Sequence, residues 1–200
     1  MRLTLPCLLL AVTTPLTAQV GHDPASSPYR DIVNGKSLTF LYGDVGGDGG
    51  EVGVGPHNGQ SYGGRLDLRI SGPVQFGLGF SQANLERLVV SADDSVATRT
   101  KGPFKQTLTM LEASVQFNVT GRKSWHRLAP YLSGTLGWAN SSSLPAGAIR
   151  DSSGFDFGSR IYLAPAIGVR IIITNHVQLR LDARQLFWKL KYPQSYTQDP

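Results

Sequence analysis

Strict alternation of apolar and polar residues over several stretches, many glycines with few charges, and a regular succession of long and short connections predict an all-β fold. The architecture expected is an antiparallel up-and-down transmembrane β-barrel, with seven strands visible. The 200 residues suit one domain, and 23 glycines with 16% charged residues fit a chain of many turns better than a helical one. The alternation is clearest in the hairpin at residues 62–82. There Tyr62, Leu66, Leu68 and Ile70 alternate with Gly63, Arg65, Asp67 and Arg69. After the tight reversal at Ser71-Gly72-Pro73, Val74, Phe76, Leu78 and Phe80 alternate with Gln75, Gly77, Gly79 and Ser81. Successive side chains of a strand point to opposite faces, so the ribbon has one apolar and one charged face. Arg65, Asp67 and Arg69 in a row are too charged for the core of a soluble sandwich. A barrel with its apolar face toward lipid and its polar face inward accommodates both.

The one long apolar run, residues 3–12, falls short of the roughly 20 residues a membrane-spanning helix requires. It follows Arg2 and precedes Leu16-Thr17-Ala18, so residues 1–18 read as a signal peptide cleaved between Ala18 and Gln19. The single Cys7 lies inside that peptide, leaving a mature chain without cysteine, and loss of Arg2 lowers the formal charge from +5 to +4. This modest basicity suits anionic lipid neighbours. Nucleic acid is not an expected partner, because the basic residues alternate with apolar ones instead of forming a continuous patch.

The remaining elements follow in order. Residues 19–35, rich in Pro, Ser and Asp, form an irregular leader on the periplasmic side, and the barrel domain occupies 36–190. The first strand, 36–42, places Leu38, Phe40 and Tyr42 on one face. Residues 43–59 are so rich in glycine that a long mobile loop is expected. The hairpin comes next, and a second long loop covers 88–105. The fourth strand, 106–120, sets Thr109, Leu111, Ala113, Val115, Phe117 and Val119 against Met110, Glu112, Ser114, Gln116 and Asn118. A short basic connection, 121–127, leads to the fifth strand at 129–139. A third long loop spans 140–153. The sixth strand, 154–171, is expected to turn Phe155, Phe157, Ile161, Leu163 and Ile167 outward and Asp156, Gly158, Arg160, Ala164 and Arg170 inward. Pro165 interrupts it and predicts a bulge or a missing ladder bond. The seventh strand runs from 177 to about 188, and 191–200 begins another outer loop.

Long and short connections thus alternate, as they do in outer-membrane barrels with short periplasmic turns and long outer loops. Aromatic residues gather toward both strand ends, with Tyr62, Trp138, Phe155, Phe157, Phe187 and Trp188 outside and Phe76, Phe117, Trp125 and Tyr131 nearer the periplasm. Through this alternation and loop rhythm, residues 36–188 resemble the small eight-stranded outer-membrane barrels of the OmpA and OmpX type. The segment His126-Arg127-Leu128-Ala129-Pro130-Tyr131-Leu132 is similar to bacterial proteins of this kind. The resemblance implies an outer-membrane location and a monomer that meets outer-membrane lipid, lipopolysaccharide and the barrel-assembly machinery. It implies no cofactor. One departure stands out: an eighth strand ending in an aromatic residue is missing. The first and seventh strands would both run outward, so their direct closure would be parallel; either the chain is truncated after the fourth outer loop begins or the barrel is open, and truncation is the favoured expectation.

Charged inward residues form the candidate site. Asp67, Glu112 and Asp182 fall near mid-strand, Arg65, Arg160 and Arg184 toward the outside, and Arg69, Arg170 and Arg180 toward the periplasm. An acidic belt between two arginine layers is expected, plugging a lumen only wide enough for side chains. Catalytic patterns are poor, with neither G-x-S-x-G nor H-E-x-x-H present. His57 with Asp44 or Asp48 is the sole enzymatic candidate, and solvated loop residues explain it better. Asp44, Asp48 and Glu51 lack EF-hand spacing, so no calcium site is expected, and the sequon Asn118-Val119-Thr120 lies on a strand. The function expected is structural or adhesive. The alternatives are a soluble lipocalin-like carrier, with Leu66, Leu68, Phe76, Leu78, Val115 and Leu136 facing a cavity, and a barrel enzyme acting on lipid or peptide.

Overall fold

Alternating apolar, β-branched and aromatic residues favour extended backbone, and a computed structural model places most such stretches in strands. It describes residues 26–50, 53–91, 93–95, 98–141, 145–148 and 151–191. The cleavage site at Ala18 and Gln19 and the tail 192–200 lie outside the described residues. Among those described there are ten strands and no α-helix: β1 (Tyr29–Asp31), β2 (Lys36–Val45), β3 (His57–Arg69), β4 (Val74–Val90), β5 (Thr100–Asn118), β6 (Lys123–Trp125), β7 (Leu128–Ser141), β8 (Ser159–Ile172), β9 (Gln178–Arg184) and β10 (Phe187–Trp188). The seven long ones, β2, β3, β4, β5, β7, β8 and β9, form an antiparallel meander in which each pairs with the next. The sheet is open. Its edges, β2 and β9, are not paired with each other, so the closed barrel expected from the sequence is not formed by these residues.

Sidedness follows the alternation. Val115 is 53% exposed, Ile161 71% and Phe40 86%, whereas Glu112, Gln116 and Asn118 on the opposite face of β5 are buried. The short reversals are locally determined. In the first, Ile70 N–H and Ser71 N–H both donate to Val74 O, at 3.0 and 3.2 Å. In the last, Thr174 Oγ1 accepts from the backbone N–H groups of His176 and Val177.

Several boundaries differ from expectation. β4 has 17 residues and β5 has 19, well beyond the roughly 9–11 that cross a bilayer. Their hairpin therefore continues past the sheet's neighbours, and the predicted loop at 88–105 shrinks to a tip. Exposed Lys101 and half-buried Asp94 pair across that tip at 2.7 Å, and this hydrogen bond from Lys101 holds the Asp94 carboxyl below its usual range. The leader is not wholly irregular, since β1 pairs with β6 inside the short connection after β5. Its polar composition hid the strand because β1 presents no apolar face; it pairs through backbone bonds and through Ser124 Oγ, which donates to Arg30 O at 3.2 Å.

Pro165 causes a missing bond and no bulge. The β7–β8 register runs through Pro165 without a shift. On the other side, Ala166 opposite Arg184 and Leu163 opposite Phe187 belong to one continuous register, which breaks only at Ala164 and Pro165. Gln185 N–H donates to Pro165 O at 3.1 Å, and proline has no N–H to return the bond. The expected seventh strand is therefore split into β9 and β10.

Candidate functional site

Alternation turns the polar residues of seven strands toward one concave face, and what they build there is a chain of alternating charges. Arg65 Nε donates to Asp67 Oδ1 at 2.7 Å, and Arg180 Nη1 reaches Asp67 Oδ2 at 3.5 Å. Arg180 Nε continues to Asp182 Oδ2 at 3.3 Å, and Arg184 Nη2 pairs with the same oxygen at 3.6 Å. Arg184 Nη1 then meets both Glu112 oxygens at 3.1 Å. Two tyrosines complete the carboxylate contacts. Tyr162 Oη donates to Glu112 Oε1 at 2.6 Å and Tyr131 Oη to Asp182 Oδ2 at 3.1 Å. Arg180 also lies over the Tyr131 ring, 4.4 Å from its centroid.

Six of the nine predicted residues thus meet in one line. The predicted geometry, an acidic belt between two arginine layers, is not what forms. Strand stagger brings Asp67 on β3 beside Arg180 on β9, although their places along the ladders differ by several residues. Signs therefore alternate along a spiral in which Asp67 and Asp182 each lie between two arginines and Glu112, at the end, lies between Arg184 and the Tyr162 hydroxyl.

The other three stand apart. Arg69 donates through Nη1 and Nη2 to Ile32 O and Asn34 O, both at 2.9 Å, tying the leader beneath the short-turn end of the sheet. Arg160 binds Ser159 O and Asp156 O at the long-loop end. Arg170 is only 3% exposed, yet its acceptors are amides, Gln75 Oε1 at 3.3 Å and Asn118 Oδ1 at 2.7 Å. Asn118 Oδ1 also accepts from Gln116 Nε2, so the sequon asparagine is a buried network member.

Glycines make room for this network. Gly77, between β3 and β5, lies under the Arg65–Asp67 pair, and a Cβ there would stand 2.6 Å from Asp67 Oδ1 and 2.7 Å from Arg65 Nε. Tyr162 lies flat over Gly137 to reach Glu112 two strands away, and Tyr131 crosses Gly168 to reach Asp182 in the same way. An aromatic ring covering a cross-strand glycine restores the burial that the missing side chain forfeits.

Tyr131 and Tyr162 are the functional side chains that sequence reasoning missed. Tyr131, placed beforehand in the periplasmic aromatic girdle, is buried inside. A usable signal existed: both share inward parity with neighbouring polar residues, and each faces a glycine on the adjoining strand.

Above the charges the interior becomes apolar. Ala83, Leu85, Leu108, Met110 and Ala139 form a cluster with Val54, Phe155 and Phe157, against which Trp188 and Leu190 pack. Phe155 and Phe157, expected outward, are therefore inside, and Trp188, expected in the outer girdle, is half-buried against Phe157, with ring centroids 5.5 Å apart. The physical reason is that β8 begins only at Ser159. Residues before it form a loop in which alternation carries no facial meaning, and that loop folds back over the mouth.

Arg87 clasps it. Completely buried beside a β-bulge, Arg87 donates to Val54 O at 3.1 Å and Phe155 O at 2.9 Å, pairs with Asp151, and stacks on the Phe155 ring. Asp151 in turn accepts from Val90 N–H and Ser153 N–H. Described residues of the glycine-rich first loop are tied in as well, with Gly55 N–H bonded to Gly49 O at 2.8 Å and Val54 buried. Arg87→Met should release this clasp and leave Asp151 unpaired. Proteinase K cleavage in the outer loops should then speed up by about tenfold or more, the population change that each ~1.4 kcal/mol of lost local stability produces. An unchanged digestion rate would refute the clasp.

The enzymatic candidate is not assembled, since His57 Nδ1 faces Gly55 O at 3.0 Å and Asp48 Oδ1 accepts from Gly50 N–H. Among the described residues no group of three or more His, Cys, Asp or Glu is placed to hold a metal. Comparison with family models, curated proteins and solved structures finds no match for the chain.

Proposed function

We propose that this protein is an integral outer-membrane β-barrel of the small OmpA and OmpX type, with a plugged interior and a structural or adhesive role at the cell surface. One observation carries the reading: the sheet is apolar outside and charged inside, the reverse of a soluble barrel. The exposed face bears Leu66, Leu78, Leu111, Leu132, Leu136 and Ile167, far more contiguous apolar surface than a water-soluble monomer presents. A shallow groove of about 540 Å³ between Leu78, Leu111, Leu136, Trp138 and Ile161 suits an acyl chain. The lipocalin-like alternative needs Leu66, Leu78, Val115 and Leu136 to face a cavity, and all four are exposed on the convex side.

Three features support a plug over a conduit. The leader crosses the short-turn end, the charge chain fills the middle, and the aromatic cluster with its folded-back loop fills the long-loop end. The clasped loops favour a fixed outer surface for contact with a partner.

Cell fractionation tests the assignment. The protein is expected in the membrane pellet after washing with high salt or carbonate, and in the soluble phase only after detergent. Release by salt or osmotic shock alone would refute it.

A further inference from the structure

The apolar outer face continues past the short-turn end of the sheet. Ile171 of β8 pairs with Leu128 of β7, Leu128 with Trp125 of β6, and Trp125 with Tyr29 of β1. Residues directly opposite in a ladder share a face, so this row stays on the side that Leu132, Leu136 and Ile167 occupy. Trp125 and Tyr29 are each 47% exposed there. Rings of this kind, apolar in body and polar at one edge, settle between acyl chains and headgroups.

Charge around the row is of one sign. Arg122, Lys123, His126 and Arg127 are exposed in the connection after β5, and Lys36 is exposed at the start of β2. Asp31, opposite Lys123, is the one carboxylate among the described residues of the leader and the short turns. At the long-loop end, by contrast, Asp44, Asp48 and Asp93 mingle with Arg99, Lys101 and Lys105. The Arg122 stem reaches the first reversal, 3.8 Å from where a Cβ on Gly72 would stand, and the His126 ring meets Trp125 edge-on with centroids 4.8 Å apart. His126 and Arg127 make the two-residue reversal between β6 and β7 with φ of 48° and 68°, values that glycine and asparagine adopt far more readily. The turn itself gains nothing from these two residue types. What they add is basic side chains beside Trp125.

We propose that the β1–β6 ribbon and the reversal after it bind the phosphate of an anionic phospholipid in the leaflet at the short-turn end. Trp125 and Tyr29 hold the ribbon at the boundary between acyl chains and headgroups. Arg122, Lys123 and Arg127 supply the charge that selects phosphatidylglycerol over zwitterionic phosphatidylcholine. Continuity with the apolar outer face favours a lipid over a soluble polyanion, whose binding needs no outward aromatic row. This rests on the barrel reading above and adds the lipid chemistry that one end of it prefers.

The test places the refolded 200-residue chain in vesicles of equal parts phosphatidylcholine and phosphatidylglycerol, with bromine on the acyl chains of one lipid or the other. Quenching at Trp125 is read as the difference between the unaltered chain and Trp125→Phe. It should report phosphatidylglycerol enriched about fivefold or more over phosphatidylcholine, the factor that one cation near a lipid phosphate contributes. The enrichment should collapse in molar salt, where the screening length shrinks to about 3 Å. Arg122→Gln, Lys123→Gln and Arg127→Gln together should abolish it. The triple Arg99→Gln, Lys101→Gln, Lys105→Gln at the other end should leave it unchanged, and heat-modifiable gel migration checks that both triples fold.

Equal quenching by the two lipids in the unaltered chain would overturn the proposal, as would a preference that survives the first triple. Trp125 quenched by neither lipid in a folded, inserted chain would show that the ribbon faces water and that its basic surface suits a soluble polyanion instead. Failure of the unaltered chain to insert into any vesicle would bring down the barrel reading itself.

Discussion

Asp67→Leu is expected to destabilise the protein by about 3–5 kcal/mol, the range for removing one partner of a buried ion pair. Asp67 is the carboxylate that Arg65 contacts, and Arg65 is 2% exposed. Without it, that guanidinium stays buried over Gly77 with no anion, and Arg180 loses one of its two carboxylates. Position in the chain of charges decides the ranking against other variants. In Arg180→Leu, Asp67 keeps Arg65 and Asp182 keeps Arg184. In Glu112→Leu, Arg184 keeps Asp182 at 3.6 Å. Both should cost less than Asp67→Leu. The double variant Arg65→Leu, Asp67→Leu should recover much of the loss, because replacing both partners by apolar groups leaves no stranded charge. Urea midpoints of the refolded protein in detergent measure all four. A midpoint for Asp67→Leu equal to that of the unaltered chain would mean that water solvates the interior and the pair contributes nothing.

Gly137→Val should be more disruptive than its exposed neighbour Gly134→Val, although both glycines lie on β7 and three residues apart. A Cβ at Gly137 would overlap the Tyr162 ring, while one at Gly134 meets nothing within 4 Å. Moving the ring breaks its bond to Glu112 and disturbs its packing on Trp188, whose ring lies 6.1 Å away. Overpacking together with loss of a charge-assisted hydrogen bond predicts at least about 3 kcal/mol. Gly134→Val, by contrast, adds a β-branched residue to an exposed strand position and should be neutral or stabilising. Tyr162→Phe isolates the hydrogen bond and should fall between them. If the two glycine variants shift the thermal transition equally, the ring does not lie where the strand pairing places it.

These two cases show where legibility in the sequence begins and ends. That Asp67 faces inward could be read from Leu66 and Leu68 on either side of it. That it meets Arg180, more than a hundred residues away, could not, because the meeting depends on how far each strand slips along the next. That Gly137 faces inward and Gly134 outward could likewise be read from the alternation of Leu132 and Leu136 with Ser133 and Thr135. That Gly137 is a shelf for an aromatic ring could not, because it depends on what the adjoining strand sends across. The alternating pattern at Phe155 and Phe157 misled for a related reason, since period two assigns a face only to residues held in a ladder.

Sidedness, the strand series and the short turns were determined by the sequence itself, because a two-residue period and a turn's hydrogen bonds are local properties of the backbone. Only the tertiary structure decided the order of charges along the spiral, the tyrosines that cross the glycines, the Arg87 clasp and the open seam between β2 and β9. Each depends on stagger and on the return path of loops, which no run of neighbouring residues encodes.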